Sequence, residues 1–168
     1  MSKSREIESP QTRMIQLYAT LYRQRTISFP ISSIRTLKSQ LGGLLQSGAD
    51  YILFNAFKAV GRDDAKSLKD LGVNDEEALL NALSHIYEAM GWGNFKFQEV
   101  DLKKTTCSIV VRNSFEALNH SRTLKPVCYI IRGHLTGALS YIFKREVPVS
   151  EVKCFAKGDS ECVFEAKL

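Results

Sequence analysis

The C-terminal stretch "SEVKCFAKGDSECVFEAKL", residues 150–168, decides which fold the sequence predicts. Gly158 and Asp159 are turn formers, and the β-compatible residues on either side of them predict a β-hairpin. With a short loop around this glycine, Cys154 and Cys162 face each other on the paired strands. Directly opposite Cβ atoms lie about 4.5–5.5 Å apart, so the hairpin brings together two of the chain's four cysteines.

Upstream of the hairpin, the apolar pattern changes from a helical to a strand period. Apolar residues follow a 3.6-residue period through residues 31–60 and in "NDEEALLNALSHIYEAMGWG", residues 74–93. We predict that Gly42 and Gly43 separate two helices, that Gly61 ends the second, and that Asn74 caps the third.

Period-two alternation begins after these helices. It predicts strands in "NFKFQEVDL", residues 94–102, and "TTCSIVVRNS", residues 105–114. "PVCYIIRGHLTGALSYIFK", residues 126–144, predicts another helix that starts at Pro126. Helices in the N-terminal half, followed by strand-strand-helix-strand-strand, indicate an α+β fold. We expect an antiparallel sheet of about four strands with helices packed on it.

Composition limits the class of protein. The chain of 168 residues is 44% hydrophobic and 24% charged, which is typical of a globular domain. Residues 1–70 carry 11 of the 23 Lys and Arg but 6 of the 18 Asp and Glu, so the net charge of +5 arises there. These cations are widely spaced, a pattern that disfavours nucleic-acid binding.

The same composition gives an expectation about the compartment. No window approaches the roughly 18 apolar residues of a membrane span, and the N-terminal residues lack the apolar core of a secretory signal. We therefore expect a cytoplasmic protein, whose cysteines are reduced.

The cysteines leave three interpretations open on spacing alone. Cys128 lies near the predicted helix start, and Glu151 precedes Cys154 by three residues, so a metal site could combine these groups with Cys162. Residues three apart on a regular strand point to opposite faces, so this site requires a bulge in the strand. Buried free cysteines, or a disulfide, would fit the spacing as well.

Residues 132–166, "RGHLTGALSYIFKREVPVSEVKCFAKGDSECVFEA", resemble the C-terminal half of the 4-vinyl reductase domain family. The shared features are a glycine-containing helix, an E-V-x-C segment, a glycine turn and C-x-F. The resemblance is strongest over residues 128–164 and extends upstream towards residue 27. It implies a ligand-binding domain over residues 26–168, preceded by an N-terminal arm or helix at residues 1–25.

The resemblance also implies a metal site. Aromatic-compound sensors of this family bind zinc through three cysteines and a glutamate at these relative places, which here are Cys128, Glu151, Cys154 and Cys162. All four residue types are present in this sequence. Four protein ligands imply a structural zinc ion, because a catalytic zinc keeps one position open.

A ligand pocket is the second implication of the resemblance. In the resembled sensors, the sheet and the glycine-containing helix enclose an apolar pocket. The residues that would line it here are Trp92, Phe95, Phe97, Cys107, Ile109 and Arg132. Without the resemblance, core packing explains these aromatic and apolar residues, and a surface position explains the arginine. Gly133 and Gly137 would either pack closely on the sheet or leave space for a ligand.

Three functional hypotheses follow. The first is a small-molecule sensor-type domain that binds a hydrophobic or amphipathic ligand, forms a homodimer and acts through a separate regulatory protein. The second is a dimeric adaptor of the vesicle-tethering type, whose subunits have a similar fold. The third is a tetrapyrrole vinyl reductase or its accessory protein, although no flavin, nicotinamide or catalytic motif is present, so we name no catalytic residue.

Overall fold

The computed structural model describes residues 30–118 and 120–167, so the predicted N-terminal arm at residues 1–25 lies outside the described residues. Four helices and a four-stranded antiparallel sheet form the described part, which confirms the α+β prediction. The elements are α1 (Ile31–Leu45), α2 (Ser47–Asp70), α3 (Glu76–Ala89), β1 (Asn94–Asp101), β2 (Thr106–Arg112), α4 (Tyr129–Ile142), β3 (Val149–Lys153) and β4 (Cys162–Ala166).

Local chemistry explains the ends of α3. The Asp75 carboxylate accepts a hydrogen bond from the backbone N–H of Ala78, so Asp75 caps the helix and the prediction of Asn74 was wrong by one residue. Both residue types cap helices well, which is why the sequence pattern does not separate them. Gly91 follows the helix with φ of 72°, a left-handed conformation that glycine adopts without strain.

The break between α1 and α2 lies at Gln46 (φ 51°), and not at the predicted Gly42 and Gly43, which lie inside α1. Gly61 also lies inside a helix, because α2 continues to Asp70. The prediction that Gly61 ends a helix was wrong because this glycine serves a tertiary contact: a Cβ atom there would lie 2.1 Å from the backbone oxygen of His134.

The same close contact explains two further glycines. A Cβ on Gly133 would lie 2.2 Å from the backbone oxygen of Phe54, and one on Gly137 would lie 1.9 Å from that of Lys58. Both acceptors belong to α2, so these glycines pack α4 against another helix. The expectation that they face the sheet was wrong. Small residues allow the two helix backbones to approach at a distance that side chains would prevent.

The sheet has the order β1-β2-β4-β3. Cys107, Ile109 and Val111 of β2 are buried on one face, as the period-two pattern predicts, and Phe164 of β4 joins them in the core. The final hairpin pairs β3 with β4, and a short 3₁₀ turn at Phe155–Lys157 lies in the connection between the strands. The hairpin predicted from the C-terminal stretch is therefore confirmed.

Candidate metal centre

Four potential metal ligands meet where α4 begins beside the hairpin. Cys128 is the residue immediately before α4, Glu151 lies in β3, Cys154 follows β3, and Cys162 begins β4. One oxygen of the glutamate and the three sulfurs all lie within 4.8 Å of one another. The three cysteines are buried and the glutamate is partly buried.

An irregular strand makes this arrangement possible. In the β3–β4 pair, Glu151 lies opposite Phe164 and Lys153 lies opposite Val163, so Val152 is an extra residue on β3. This register shift is the bulge that the site requires, because it turns Cys154 to the side on which Glu151 lies.

The distances fit a four-coordinate ion. The sulfurs of Cys128 and Cys162 are 3.7 Å apart. Two thiolates bound tetrahedrally to zinc at about 2.3 Å from the metal would have sulfurs about 3.8 Å apart. The separation is much longer than a disulfide bond of about 2.05 Å, and all four cysteines in the described residues are free.

The glutamate offers one oxygen that the described residues do not use. Its Oε2 accepts a hydrogen bond from the backbone N–H of Cys128 at 3.0 Å, while Oε1 is buried without a hydrogen-bond partner. A buried, unpaired carboxylate oxygen is costly. A cation bound by the three sulfurs would complete its coordination, so the residues present fit a metal ion.

The charge state of the cluster points the same way. Burial, followed by the neighbouring sulfur of Cys154, raises the pKa of Glu151 to about 8. Hydrogen bonds from the thiols of Cys128 and Cys162 lower the pKa of Cys154, and donation of the same bond raises the pKa of Cys128. Metal binding requires deprotonated thiols, so a divalent ion bound here would replace these protons.

Groups outside the four ligands hold the cluster in position. The Asp159 carboxylate accepts a hydrogen bond from the backbone N–H of Cys154 at 2.8 Å, and the hydroxyl of Ser114 contacts the sulfur of Cys128 at 3.3 Å. The backbone N–H of Phe155 donates to the sulfur of Cys162. Asp159 was predicted only as a turn residue, and its position within the turn sequence is the signal that would have identified it.

Glu116 is a second buried acid beside this centre, and the sequence analysis missed it. Its carboxylate accepts hydrogen bonds from the backbone N–H groups of Ile130 and Ile131 in the first turn of α4 and forms an ion pair with Lys38 of α1. The side chain of Glu116 is completely buried. Burial raises its pKa, whereas Lys38 and the two N–H groups lower it. Nothing in the sequence pattern distinguishes this residue from a surface glutamate.

The residues predicted to line a ligand pocket occupy two environments. Trp92 packs on Phe57, Tyr87 and Phe115, and Phe95 contacts Tyr87 at 4.4 Å between ring centroids. Cys107 and Ile109 are buried in the same core, and Phe97 packs against it from a half-buried position. Burial raises the pKa of the Cys107 thiol to about 11.

Arg132 lies elsewhere. Its guanidinium lies over the rings of Phe54 and Tyr129, 4.9 Å and 5.1 Å from their centroids, and its Nε is buried without an acceptor among the described residues. Arg132 is therefore half-buried where α2 meets α4, separate from the ring contacts of Trp92.

His134 is buried, and both of its ring nitrogens have partners. One ring nitrogen contacts the hydroxyl of Tyr87 at 2.9 Å, and the other contacts the carboxylate of Asp64 at 2.9 Å. The carboxylate lies on α2 and the tyrosine on α3, so His134 joins three helices. Its partners come from distant parts of the chain, and sequence spacing gives no signal for them.

The comparisons with known proteins concern the same part of the chain. Residues 107–168 match the family model of the 4-vinyl reductase domain. Over these residues the chain is similar to that family. The match confirms the resemblance found in the sequence, and it covers the sheet strand β2, helix α4 and the hairpin with all four candidate ligands.

Two relatives come from Methanocaldococcus jannaschii. Uncharacterized protein MJ0745 is 37% identical over 67 residues, which is 40% of this chain and 33% of the relative. Uncharacterized protein MJ1460 is 27% identical over 120 residues, which is 69% of this chain and 73% of the relative. The chain thus spans a third of the first relative and about three quarters of the second.

Three solved structures have a similar fold. The phenol-responsive sensory domain of the transcription activator PoxR, solved with phenol, has a TM-score of 0.76 at 18% identity, over 86% of this chain and 77% of that one. A vinyl-4-reductase family protein from Methanocaldococcus jannaschii has a TM-score of 0.65 at 19% identity, over 98% of both chains. Trafficking protein particle complex subunit 3 from Naegleria fowleri, covalently bound to palmitic acid, has a TM-score of 0.57 at 17% identity, over 79% of this chain and 93% of that one.

Among the helices of residues 30–118 and 120–167, none combines the length and the apolar character needed to cross a bilayer.

Proposed function

We propose that this chain is a small-molecule-binding domain of the sensor type, whose helix α4 and C-terminal hairpin are joined by a structural zinc ion. The ligands of the ion would be Cys128, Glu151, Cys154 and Cys162. Two observations carry the proposal: one oxygen of Glu151 lies with three cysteine sulfurs inside a 4.8 Å cluster, and Oε1 of the same carboxylate is buried without a partner among the described residues.

The donor set favours zinc with a structural role. Three thiolates and one carboxylate are typical zinc donors, and four protein ligands leave no position for a reacting water. When bound, the ion would supply a cross-link between the start of α4 and both strands of the hairpin. Two hydrogen bonds of the chain position the proposed ligands: the N–H of Cys128 orients the carboxylate of Glu151, and the carboxylate of Asp159 holds the backbone at Cys154.

The small-molecule part of the proposal is supported by the likeness to the phenol-responsive domain and by the aromatic cluster around Trp92. We infer a hydrophobic or amphipathic ligand that binds where α4 and the sheet meet and lies against Trp92, Phe95, Phe97, Cys107 and Ile109. Arg132 would contribute only if binding rearranged the α2–α4 surface. A ligand that prefers one packing of α4 shifts the domain towards that packing, and a separate protein partner would detect the change.

The metal is tested by elemental analysis of protein purified without added metal, combined with native mass spectrometry. We expect one zinc ion per chain. Protein that is metal-free and still stably folded would contradict the proposal, because a structural site contributes its binding free energy to folding.

Ligand binding is tested with phenol as the probe. Trp92 is the single tryptophan of the chain and lies within the aromatic cluster, so intrinsic fluorescence reports on this region. We expect a saturable change on titration with phenol and none in a Trp92→Phe control. A linear, unsaturable response, or an equal response in denatured protein, would contradict binding of small aromatic compounds.

A second candidate function, a dimeric adaptor, is favoured by exposed apolar side chains on α1 and the first half of α2. Leu44 is 79% exposed and Tyr51 is 72% exposed, and Leu37, Ile52 and Val60 lie on the same two helices. We propose a second copy of the chain as the partner. Light scattering after size exclusion should give the mass of a dimer, and Leu44→Ser combined with Tyr51→Ser should give a monomer. A monomeric wild-type chain would contradict this candidate.

A further inference from the structure

A cleft of about 280 Å³ opens on the hairpin, outside the metal cluster. Its walls come from the connection between β2 and α4 and from the 3₁₀ turn of the hairpin. The lining residues are His120, Arg122, Phe155, Ala156, Gly158 and Asp159. None of the four candidate metal ligands lines it, and neither does the aromatic cluster around Trp92. The cleft adjoins the metal cluster, because its lining residues Asp159 and Phe155 hydrogen-bond to Cys154 and Cys162.

The cleft contains a cation whose charge is unpaired among the described residues. The guanidinium of Arg122 rests on Gly158, where an added Cβ would lie 2.4 Å from Nη2. The two loops are tied together by the hydrogen bond from the backbone N–H of Thr123 to the carbonyl of Ala156. Within the described part of the chain, Arg122 has neither a carboxylate partner nor a hydrogen-bond acceptor, in contrast to Arg112, which pairs with Glu161.

An acid lies in the same cleft without pairing to this arginine. Oδ2 of Asp159 accepts the hydrogen bond from the N–H of Cys154, so the carboxylate is held by the hairpin backbone. Its second oxygen accepts no hydrogen bond from residues 30–118 or 120–167. The cleft therefore presents one guanidinium and one carboxylate that are not joined to each other, together with the imidazole of His120, whose Nδ1 contacts the Ser121 carbonyl.

An apolar wall completes the cleft. Phe155 is 47% exposed, and Ala156 lies beside it. A ligand that matches all three features carries an anionic group, a cationic group and an apolar body. Arginine recognises carboxylates through paired N–H groups, a carboxylate accepts from ammonium groups, and an exposed ring favours an apolar side chain.

We propose that this cleft binds a free α-amino acid with an apolar side chain. Arg122 binds the α-carboxylate, Asp159 binds the α-ammonium group, and Phe155 contacts the side chain. This inference goes beyond the proposed function, because it assigns a second, chemically different ligand to a surface of the hairpin.

The test is isothermal titration calorimetry of the full chain with L-phenylalanine as the probe. We expect saturable binding with Kd of about 1 mM or lower. Two analogues test the two charges separately: 3-phenylpropanoate lacks the ammonium group, and 2-phenethylamine lacks the carboxylate. Each should bind at least about tenfold more weakly, because one charge of the cleft then has no partner. Glycine, which lacks the apolar body, should also bind more weakly.

Arg122→Gln should abolish binding, while Arg145→Gln, a matched exposed arginine outside the cleft, should bind as the wild type does. Both positions are exposed, and equal melting temperatures would show that the fold is intact. Absence of saturable binding, binding of 3-phenylpropanoate as tight as that of L-phenylalanine, or undiminished binding by Arg122→Gln would each overturn the proposal. The response of Trp92 to phenol should persist in Arg122→Gln, so failure of this inference is distinguishable from failure of the sensor proposal.

Discussion

The two parts of helix α4 use polar groups in opposite ways. At its start, three cysteine sulfurs lie close to the carboxylate of Glu151, one oxygen of which has no partner among the described residues. In its middle, His134 is satisfied at both ring nitrogens by Tyr87 and Asp64. Burial of polar residues therefore does not by itself indicate a binding site. An unsatisfied atom within a set of metal donors does indicate one.

Loss of one proposed metal ligand should have the largest effect. Cys162→Ser should release zinc and lower the free energy of unfolding by several kcal/mol, because binding of a structural metal is also folding free energy. Metal content and chemical denaturation measure this. Cys107→Ala is the matched control: this buried cysteine lies outside the cluster, so the variant should keep its zinc. Equal metal loss in both variants would contradict the assignment of Cys162, and not Cys107, to the metal site.

Removal of the counter-ion beside the metal centre should come next. Lys38→Met leaves the buried Glu116 carboxylate without its cation, which should cost about 3–5 kcal/mol at neutral pH. Lys66→Met, at an exposed lysine of α2, should have little effect. Urea unfolding of both variants measures the difference.

The same variant predicts a pH dependence with a definite sign. Burial raises the pKa of Glu116, and the charge of Lys38 lowers it. Loss of Lys38 therefore raises the pKa of Glu116 further. An acid whose pKa is higher in the folded than in the unfolded state lowers the free energy of unfolding as the pH rises and the acid ionises. At low pH the acid is protonated and this cost is absent. The deficit of Lys38→Met relative to wild type should therefore shrink towards acidic pH. A constant deficit would mean that Glu116 is not the group responsible.

In the middle of α4, the backbone contact with α2 can be broken by a single methyl group. Gly137→Ala places a Cβ against the Lys58 carbonyl and should cost about 1–3 kcal/mol through overpacking. Gly43→Ala is the control, because nothing lies within 4 Å of its added Cβ and the substitution should gain up to about 1 kcal/mol in helix propensity. Thermal unfolding of the two variants shows whether each substitution raises or lowers stability. Unchanged stability in Gly137→Ala would show that the two helices can move apart at no cost.

Removal of one hydrogen bond of His134 should have the smallest effect on stability. Tyr87→Phe keeps the ring contacts but leaves one imidazole nitrogen unpaired, at a cost of about 1–2 kcal/mol. Metal content should not change. Tyr51→Phe, at a tyrosine that is 72% exposed, should be neutral in the same unfolding assay. Zinc loss in Tyr87→Phe would contradict the separation of the two parts of α4.

Much of the metal centre could be predicted from the sequence because its signals are local. The turn at Gly158 fixes the hairpin register, and the register brings Cys154 to Cys162. Cys128 is set by the start of a helix. The bulge between Glu151 and Lys153 was required by the spacing and is present in the pairing of β3 with β4. Family resemblance then favoured a metal over free cysteines, which spacing alone did not.

The sequence by itself thus determined the α+β order of elements, the hairpin and the four candidate ligands, because strand period, turn chemistry and residue spacing act over a few residues. Only the tertiary structure decided that Gly61, Gly133 and Gly137 pack two helix backbones together, that Glu116 is a buried acid paired with Lys38, and that His134 joins three helices. The physical reason is distance along the chain: the hydrogen bonds of His134 and Glu116 with their side-chain partners join residues 47, 70 and 78 positions apart. Their partners are set by how the helices cross, and no local pattern encodes that geometry.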